Sequence, residues 1–350
     1  MPQCRLRRSA GALVLLALAA CSHGSSTASA PRPTASSTPT AGVPTPTPTP
    51  AGTAVYPLTG LPVTSPAAAR GPALAVKIDN ISLARPQIGL NAADLVVDTP
   101  VEGGLTRLFA VFQSQEAPLV GPIRSARPVD ADLLPLLRGG VFAYSGANRR
   151  ELPPIRAHSG AVLVSNDDHS QYFTRASDRQ APHNVVSSTA RLLAAGRDLG
   201  SPTGPPGPLF TWSPTVPRGR AVRNAFVAFS AGTLAGWRWD GQRYLRDQDG
   251  STDRLTGGAQ VSASNVVILT VQLRPTGIVD AAGNEAPLVV VTGGGSCWVL
   301  RDGVLVQGRW SRTGRGGPLR LLDSTGKPIA LHPGRTWIEL LPTGHSPTFS

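Results

Sequence analysis

Along this chain, short apolar runs are cut at regular intervals by Gly, Asp, Asn and Pro, and the way they are cut changes about halfway along. Ala73-Leu74-Ala75-Val76-Lys77-Ile78 reads as a strand covered on both faces and stopped by Asp79-Asn80. A second apolar run over 94–99 is followed by Glu102-Gly103-Gly104 and then by a third over 105–112. Two adjacent glycines suit a tight turn, so these two runs are predicted to pair as a hairpin. Residues 129–138 have helical spacing, with Asp130 and Asp132 in the first turn, where the helix dipole favours acids. Residues 141–144 and 161–164 are further strand candidates, and 187–199 reads as a helix closed by Gly200.

Beyond the loop at 201–208 the elements become shorter and almost all strand-like. The runs are 225–230, 236–240, 242–247, 264–272, 286–292, 296–301, 304–309 and 335–341, with hairpin signals at Arg301-Asp302-Gly303 and Ser324-Thr325-Gly326. Gly293-Gly294-Gly295-Ser296 is expected to turn between two strands. The predicted fold class is α+β. A mixed α/β domain over 56–205 is joined by a linker at 206–222 to a β-rich domain over 223–345. Trp237, Trp239, Trp298, Trp310 and Trp337 are expected to fill the β core, the competing reading being that they stack on sugar rings.

The N-terminus follows different rules. Arg5, Arg7 and Arg8 precede an apolar run at 11–20 that is shorter than the roughly 20 residues a spanning helix needs. This is a three-part signal peptide over 1–20. Its end, Leu18-Ala19-Ala20-Cys21, resembles the bacterial lipobox, which predicts a lipid on Cys21 and attachment to the outer face of the cytoplasmic membrane. Residues 21–55 are almost wholly Ser, Thr, Ala, Gly and Pro. That composition cannot bury a core and is read as a disordered tether with a reach on the order of 100 Å.

Composition adds two constraints. Of three cysteines, Cys4 leaves with the signal and Cys21 takes lipid, so Cys297 has no partner for a disulfide and is expected to be buried packing. The core must therefore hold without covalent staples, which a segment of this length can do. The net charge is +12, and removal of the three signal arginines leaves +9. The basic residues are scattered rather than grouped with aromatics, so nucleic acid is not an expected partner. Membrane lipid, an anionic wall polymer or an envelope protein fits an exported basic chain better. Nothing in the pattern specifies an oligomeric state.

Polar motifs concentrate in the first half: Arg85-Pro86-Gln87, Glu102 to Arg107, and Gly121-Pro122-Ile123-Arg124-Ser125-Ala126-Arg127-Pro128. Arg124 and Arg127, three apart before a helix start, could form a fork for a carboxylate or phosphate. Alternatively they pair internally with Glu102 or Asp79. Arg175, Asp178, Arg179 and Pro182-His183-Asn184 form another polar loop, where His183 could act as a base or a ligand. His169 in Asn166-Asp167-Asp168-His169 matches a metal-binding string only loosely, and no spaced His or Cys pair supports a metal site. No nucleophile elbow, phosphate loop or dinucleotide fingerprint is present, so no cofactor is predicted.

Taken together these strings resemble the YerB-like bacterial lipoproteins, a two-domain family of unknown function. The matching pieces are Pro57-Leu58-Thr59-Gly60, Val76-Lys77-Ile78-Asp79-Asn80, Ala84-Arg85-Pro86-Gln87, the segments 100–107 and 121–128, Ala181-Pro182-His183-Asn184, Ser264-Asn265-Val266-Val267 and Gly334-Arg335-Thr336-Trp337-Ile338. The resemblance runs from Pro57 to Pro342 and implies a lipoprotein address and a two-domain architecture. It departs at Tyr144-Ser145-Gly146-Ala147, where the family pattern leads one to expect a histidine and a glycine pair. No activity comes with the family, and two readings stand. One is a binding or scaffolding module for an anionic ligand or envelope partner, acting through Arg85, Arg107, Arg124, Arg127, His183 and Asn184. The other is a hydrolase or transferase on wall polymer with Asp79 and Glu102 as its acid/base pair.

Overall fold

The structure is a computed structural model that describes residues 54–200, 204–280 and 283–350. The signal peptide, Cys21 and residues 22–53 of the tether lie outside the described residues. The described residues form one compact unit.

The expected strands of the first half are present. β1 (Leu74–Asp79), β2 (Leu95–Pro100) and β3 (Thr106–Phe112) are buried along their whole length, as continuous apolar runs require. β2 and β3 pair antiparallel, and the turn between them places Gly103 at φ +69 and Gly104 at φ +70, a region that side chains with a Cβ resist. β1 pairs antiparallel with β3 on one side and parallel with β4 (Val141–Tyr144) on the other, and β5 (Val162–Ser165) continues parallel. The carboxyl ends of β1, β4 and β5 therefore open on one edge of the sheet.

The second half supplies a meander of β6 (Asn224–Ser230), β7 (Thr233–Trp239) and β8 (Tyr244–Gln248), edged by Thr348–Phe349 beside β6. It also supplies β9 (Asn265–Val279), β10 (Glu285–Val290), β11 (Gly293–Arg301), β12 (Val304–Arg312), β13 (Arg320–Asp323) and β14 (Thr336–Pro342). The large sheet runs β13-β12-β11-β9-β14-β2-β3-β1-β4-β5, and β10 pairs off it with β9. β14 lies parallel to both β9 and β2, so this last long strand joins the two halves of the chain into one sheet. The segment 206–222 packs onto the same body: Phe210 is buried, Trp212 bridges to Leu331, and Arg220–Ala221 pairs with β12.

Two cores sit on the two faces of this sheet, divided by the two-residue alternation of the strands. Leu74, Val76 and Ile78 of β1 face one core; Ala75 of β1 with Leu95 and Val97 of β2 face the other. A short helix α1 (Pro66–Arg70) precedes β1; the first core takes in the helix α4 (Thr189–Leu199) and the meander, and the second takes in α2 (Asp130–Leu133) and α3 (Leu152–His158). Ser188 caps α4 by accepting from the Arg191 amide at 3.1 Å, and the helix ends at Gly200. Trp237, Trp310 and Trp337 are buried, while Trp239 and Trp298 pack partly buried against the first core. Cys297 is a buried free thiol, pushed up to about 12 by burial.

Two expectations are corrected. The helix expected over 129–138 is α-helical only through α2 and tightens to a 3₁₀ turn over Leu134–Leu137. Pro135 has no N–H for the α-helical bond, and its ring crowds the preceding turn. α3, for which the sequence pattern carries no expectation, opens on Pro153-Pro154, because proline is compatible with the first turn of a helix. The glycines at 293–295 begin β11 rather than turn between strands, and a Cβ on Gly295 would lie 2.6 Å from the Thr270 carbonyl oxygen and 2.7 Å from Trp310 Nε1. Close strand approach, not a turn, requires glycine there.

Candidate functional site

The loop 121–128 is laid between the ends of two parallel strands. The Arg124 amide donates to the Lys77 carbonyl at 2.8 Å, the Asp79 amide to the Pro122 carbonyl at 2.9 Å, and the Ser145 amide beyond β4 to the Arg124 carbonyl at 3.0 Å. Arg124 is thus held at the carboxyl edge between β1 and β4, the position where open α/β sheets place their ligands. Pro86, Pro122 and Pro182, one in each site loop, all follow cis peptide bonds.

Asp79 closes β1 with its carboxylate buried. Its Oδ2 accepts from Arg124 Nε at 3.1 Å and lies 2.6 Å from His183 Nδ1. With Asp79 ionised, the proton of a neutral His183 sits on Nδ1 and Nε2 becomes the acceptor. Asn184 braces the loop that carries His183: its Oδ1 accepts from Arg175 Nη1 at 2.7 Å, and its Nδ2 donates to the Arg179 carbonyl at 3.3 Å.

Glu102 gathers the other two arginines. Arg127 donates through Nε to Oε2 at 2.7 Å and through Nη2 to Oε1, and Arg107 Nη2 lies 3.4 Å from the same Oε1. Burial pushes the Glu102 carboxyl up, but the Arg127 hydrogen bonds and the charges of Arg107 and Arg127 outweigh it and bring it down to about 2. Burial lowers Arg107 to about 10, and the nearby charge of Arg127 adds to that. Beneath them Lys77 Nζ donates to Asp130 Oδ1 at 2.8 Å and to Thr99 Oγ1 at 3.1 Å, with both charged groups fully buried. Asp130 also accepts from the Arg127 amide at 2.7 Å, fixing the start of α2.

Arg124 and Arg127 therefore do not form one fork. The structure places them on different carboxylates, Asp79 and Glu102, which is the internal pairing weighed for them from sequence. A Glu102 held at about 2 has no proton to donate near neutrality, so of the two carboxylates it could serve only as the base or nucleophile of an acid/base pair.

Next to His183 lies a cleft of about 390 Å³ lined by Leu83, Arg85, Pro86, Arg179, Gln180 and Thr256 among others. Both halves of the chain form its walls. Arg85 pairs with Asp249 at 2.7 Å, and the Thr256 amide donates to the Gln87 carbonyl at 2.9 Å. Arg179 donates to the carbonyls of Ala84 (2.8 Å) and Pro86 (2.5 Å) and to Thr256 Oγ1 (3.1 Å). Those acceptors are neutral, and the nearest carboxylate, the exposed Asp178, is 4.0 Å away, so Arg179 keeps its charge for the cleft. Sequence reasoning put Arg179 in a polar loop without a role and passed over Asp249 and Thr256. Only tertiary contact brings these three to Arg85.

A second charged network is wholly buried between the two sheets. Arg246 of β8 donates to Asp98 of β2 at 2.8 Å and to Asp253 at 2.5 Å, with its guanidinium 4.8 Å from the ring of Trp337. Glu339 of β14 accepts from Trp237 Nε1 at 2.7 Å. Nothing in the spacing of these residues marked them as a group.

Comparison with known proteins gives a consistent picture. A model described as "Protein of unknown function (DUF3048) N-terminal domain" matches residues 58–201, and the corresponding C-terminal domain model matches residues 225–338. The "Putative lipoprotein YerB" of Bacillus subtilis (strain 168) is 30% identical over 299 residues, covering 82% of this chain and 86% of the relative. The crystal structure of the YerB protein from Bacillus subtilis superposes with a TM-score of 0.73 at 26% identity, covering 85% of this chain and 99% of that one.

Proposed function

This chain belongs to the DUF3048 family, and from that premise we propose that it is a lipid-anchored envelope protein whose cleft binds an anionic group of a wall polymer or envelope partner. The anchor rests on Leu18-Ala19-Ala20-Cys21 and on the lipoprotein name of the Bacillus subtilis relative. No described helix is long and apolar enough to cross a membrane. Two or more acyl chains on Cys21 would hold the protein stably, since each buried CH2 contributes about 0.8 kcal/mol. Mass spectrometry of the mature N-terminus is expected to find acylated Cys21, and an unmodified cysteine there overturns the anchor.

The observation that carries the binding reading is the sharing of one buried oxygen. Asp79 Oδ2 takes Arg124 Nε and His183 Nδ1, and among the described residues neither the Nη groups of Arg124 nor Nε2 of His183 has a protein partner. Both side chains are thus aligned by one carboxylate, which leaves the Nη groups of Arg124 for an anion and Nε2 of His183 for a hydroxyl or water beside it. On the cleft wall Arg85 is paired with Asp249 while Arg179 has only the exposed Asp178 at 4.0 Å to balance it, and charge-assisted contacts to phosphate or carboxylate are the strong class of hydrogen bond.

The test is retention of the full chain on immobilised phosphodiester wall polymer against a neutral glycan. Arg124→Ala is expected to weaken retention on the anionic polymer about tenfold, the effect of losing one charge-assisted contact. Equal retention of wild type and variant, or equal retention on the neutral glycan, sinks the reading.

A further inference from the structure

We infer that the cleft is catalytic, with His183 as a general base, positioned by Asp79, that activates water against a phosphodiester. The inference rests on the anion-binding reading and goes one step beyond it. A histidine that serves only to hold an anion presents N–H groups to it. Here Nδ1 is committed to Asp79 at 2.6 Å, so in the neutral ring Nε2 is the acceptor. An acceptor repels the oxygens of an anion but takes the proton of a water or hydroxyl beside it.

The support behind His183 is that of a working base. Asp79 is 1% exposed and is itself fixed by Arg124 and by its place at the end of β1. A buried carboxylate on Nδ1 holds the tautomer and stabilises the imidazolium formed when Nε2 gains a proton. His183 lines the cleft, and its side chain is 13% exposed. The surroundings suit a reacting centre that is charged from the start. Arg85 and Arg179 line the cleft, and Arg124 shares Asp79 with His183. The Nε of Arg179 is buried without an acceptor among the described residues. Guanidinium groups in place before reaction stabilise the charge that grows on the non-bridging phosphoryl oxygens. A carboxylic ester, neutral in its ground state, makes less use of them.

The step balances with water as the only co-reactant. Water oxygen forms a bond to phosphorus as its proton passes to His183 Nε2. The P–O bond to the leaving alkoxide then breaks, and the alkoxide takes that proton back from the imidazolium. The products are a phosphomonoester and an alcohol, with the base regenerated.

The experiment uses the full chain with bis(p-nitrophenyl) phosphate, reading nitrophenolate release, and p-nitrophenyl acetate in parallel. Wild type is expected to cleave the diester, and His183→Gln to lose roughly 10²–10⁴-fold in kcat with KM little changed. Asp79→Asn is expected to lower kcat and reshape the pH profile, which a purely structural role would not do. Thermal melts identify any variant that fails to fold, and His183→Asn then replaces His183→Gln. Diester cleavage equal in wild type and variant, or no cleavage by wild type, overturns the inference, and so does turnover of the acetate ester alone. If the chain still binds anionic polymer in those cases, the binding reading survives and only catalysis falls.

Discussion

Replacing Arg246 with alanine is expected to destabilise the chain by roughly 3–5 kcal/mol, the cost of leaving a buried charge without its partner. Arg246 is fully buried and is the counter-charge for two carboxylates, Asp98 at 2.8 Å and Asp253 at 2.5 Å. It also lies over the rings of Trp337 at 4.8 Å and Trp237 at 5.9 Å, contacts that gain weight when desolvated. The alanine variant loses all four contacts at once and strands two acids in the first core, between strands that belong to different sheets. Urea unfolding gives the readout. Arg246→Lys keeps the charge but not the planar fork, and is expected to recover only part of the loss. An Arg246→Ala midpoint within about 1 kcal/mol of wild type would mean that the acids are protonated and need no counter-ion.

This network also marks where sequence reading stops. The strands around Asp79 were legible because a buried strand reads as an unbroken apolar run, and the hairpin between β2 and β3 because two glycines punctuate it. The same reading flagged Asp79, Arg124 and His183, since polar residues at strand ends and in Pro-framed loops stand out against an apolar pattern. It could not assign partners. Arg124 and Arg127 are three apart and look like a pair, yet they part company because Asp79 and Glu102 reach them from different strands. Arg179 and Thr256 are 77 positions apart, and Arg246 and Asp98 are 148 apart. Contacts over such separations are fixed by topology, and topology turned on β14, whose sequence looks like any other strand of the second half. Its place between β9 and β2 follows from a parallel pairing with each, for which a local pattern carries no signal.

The pH dependence of stability is expected to carry the mark of one shared proton. Glu339 is fully buried, and burial first and the negative charge of Asp98 next push its carboxyl up to about 8, with Arg246 opposing. Burial pushes Asp98 up as well. Three acids, Asp98, Asp253 and Glu339, thus face one guanidinium, and the indole N–H of Trp237 gives Glu339 a further hydrogen bond. The low-dielectric site accommodates this set best when one acid keeps its proton. From the ordinary glutamate value of 4.5 up to about 8, the folded chain retains a proton that the unfolded chain has released. Bound protons are then fewer in the unfolded state, and stability falls as pH rises through that window. Glu339→Gln copies the protonated acid, since its oxygen can still accept from Trp237 and its amide can donate to Asp98. The melting temperature of wild type is therefore expected to decline from about pH 4.5 to about pH 8, while that of Glu339→Gln declines markedly less. Equal slopes in the two proteins would place the proton elsewhere. A Glu339→Gln variant less stable than wild type at the acid end would show that the carboxyl is ionised even there.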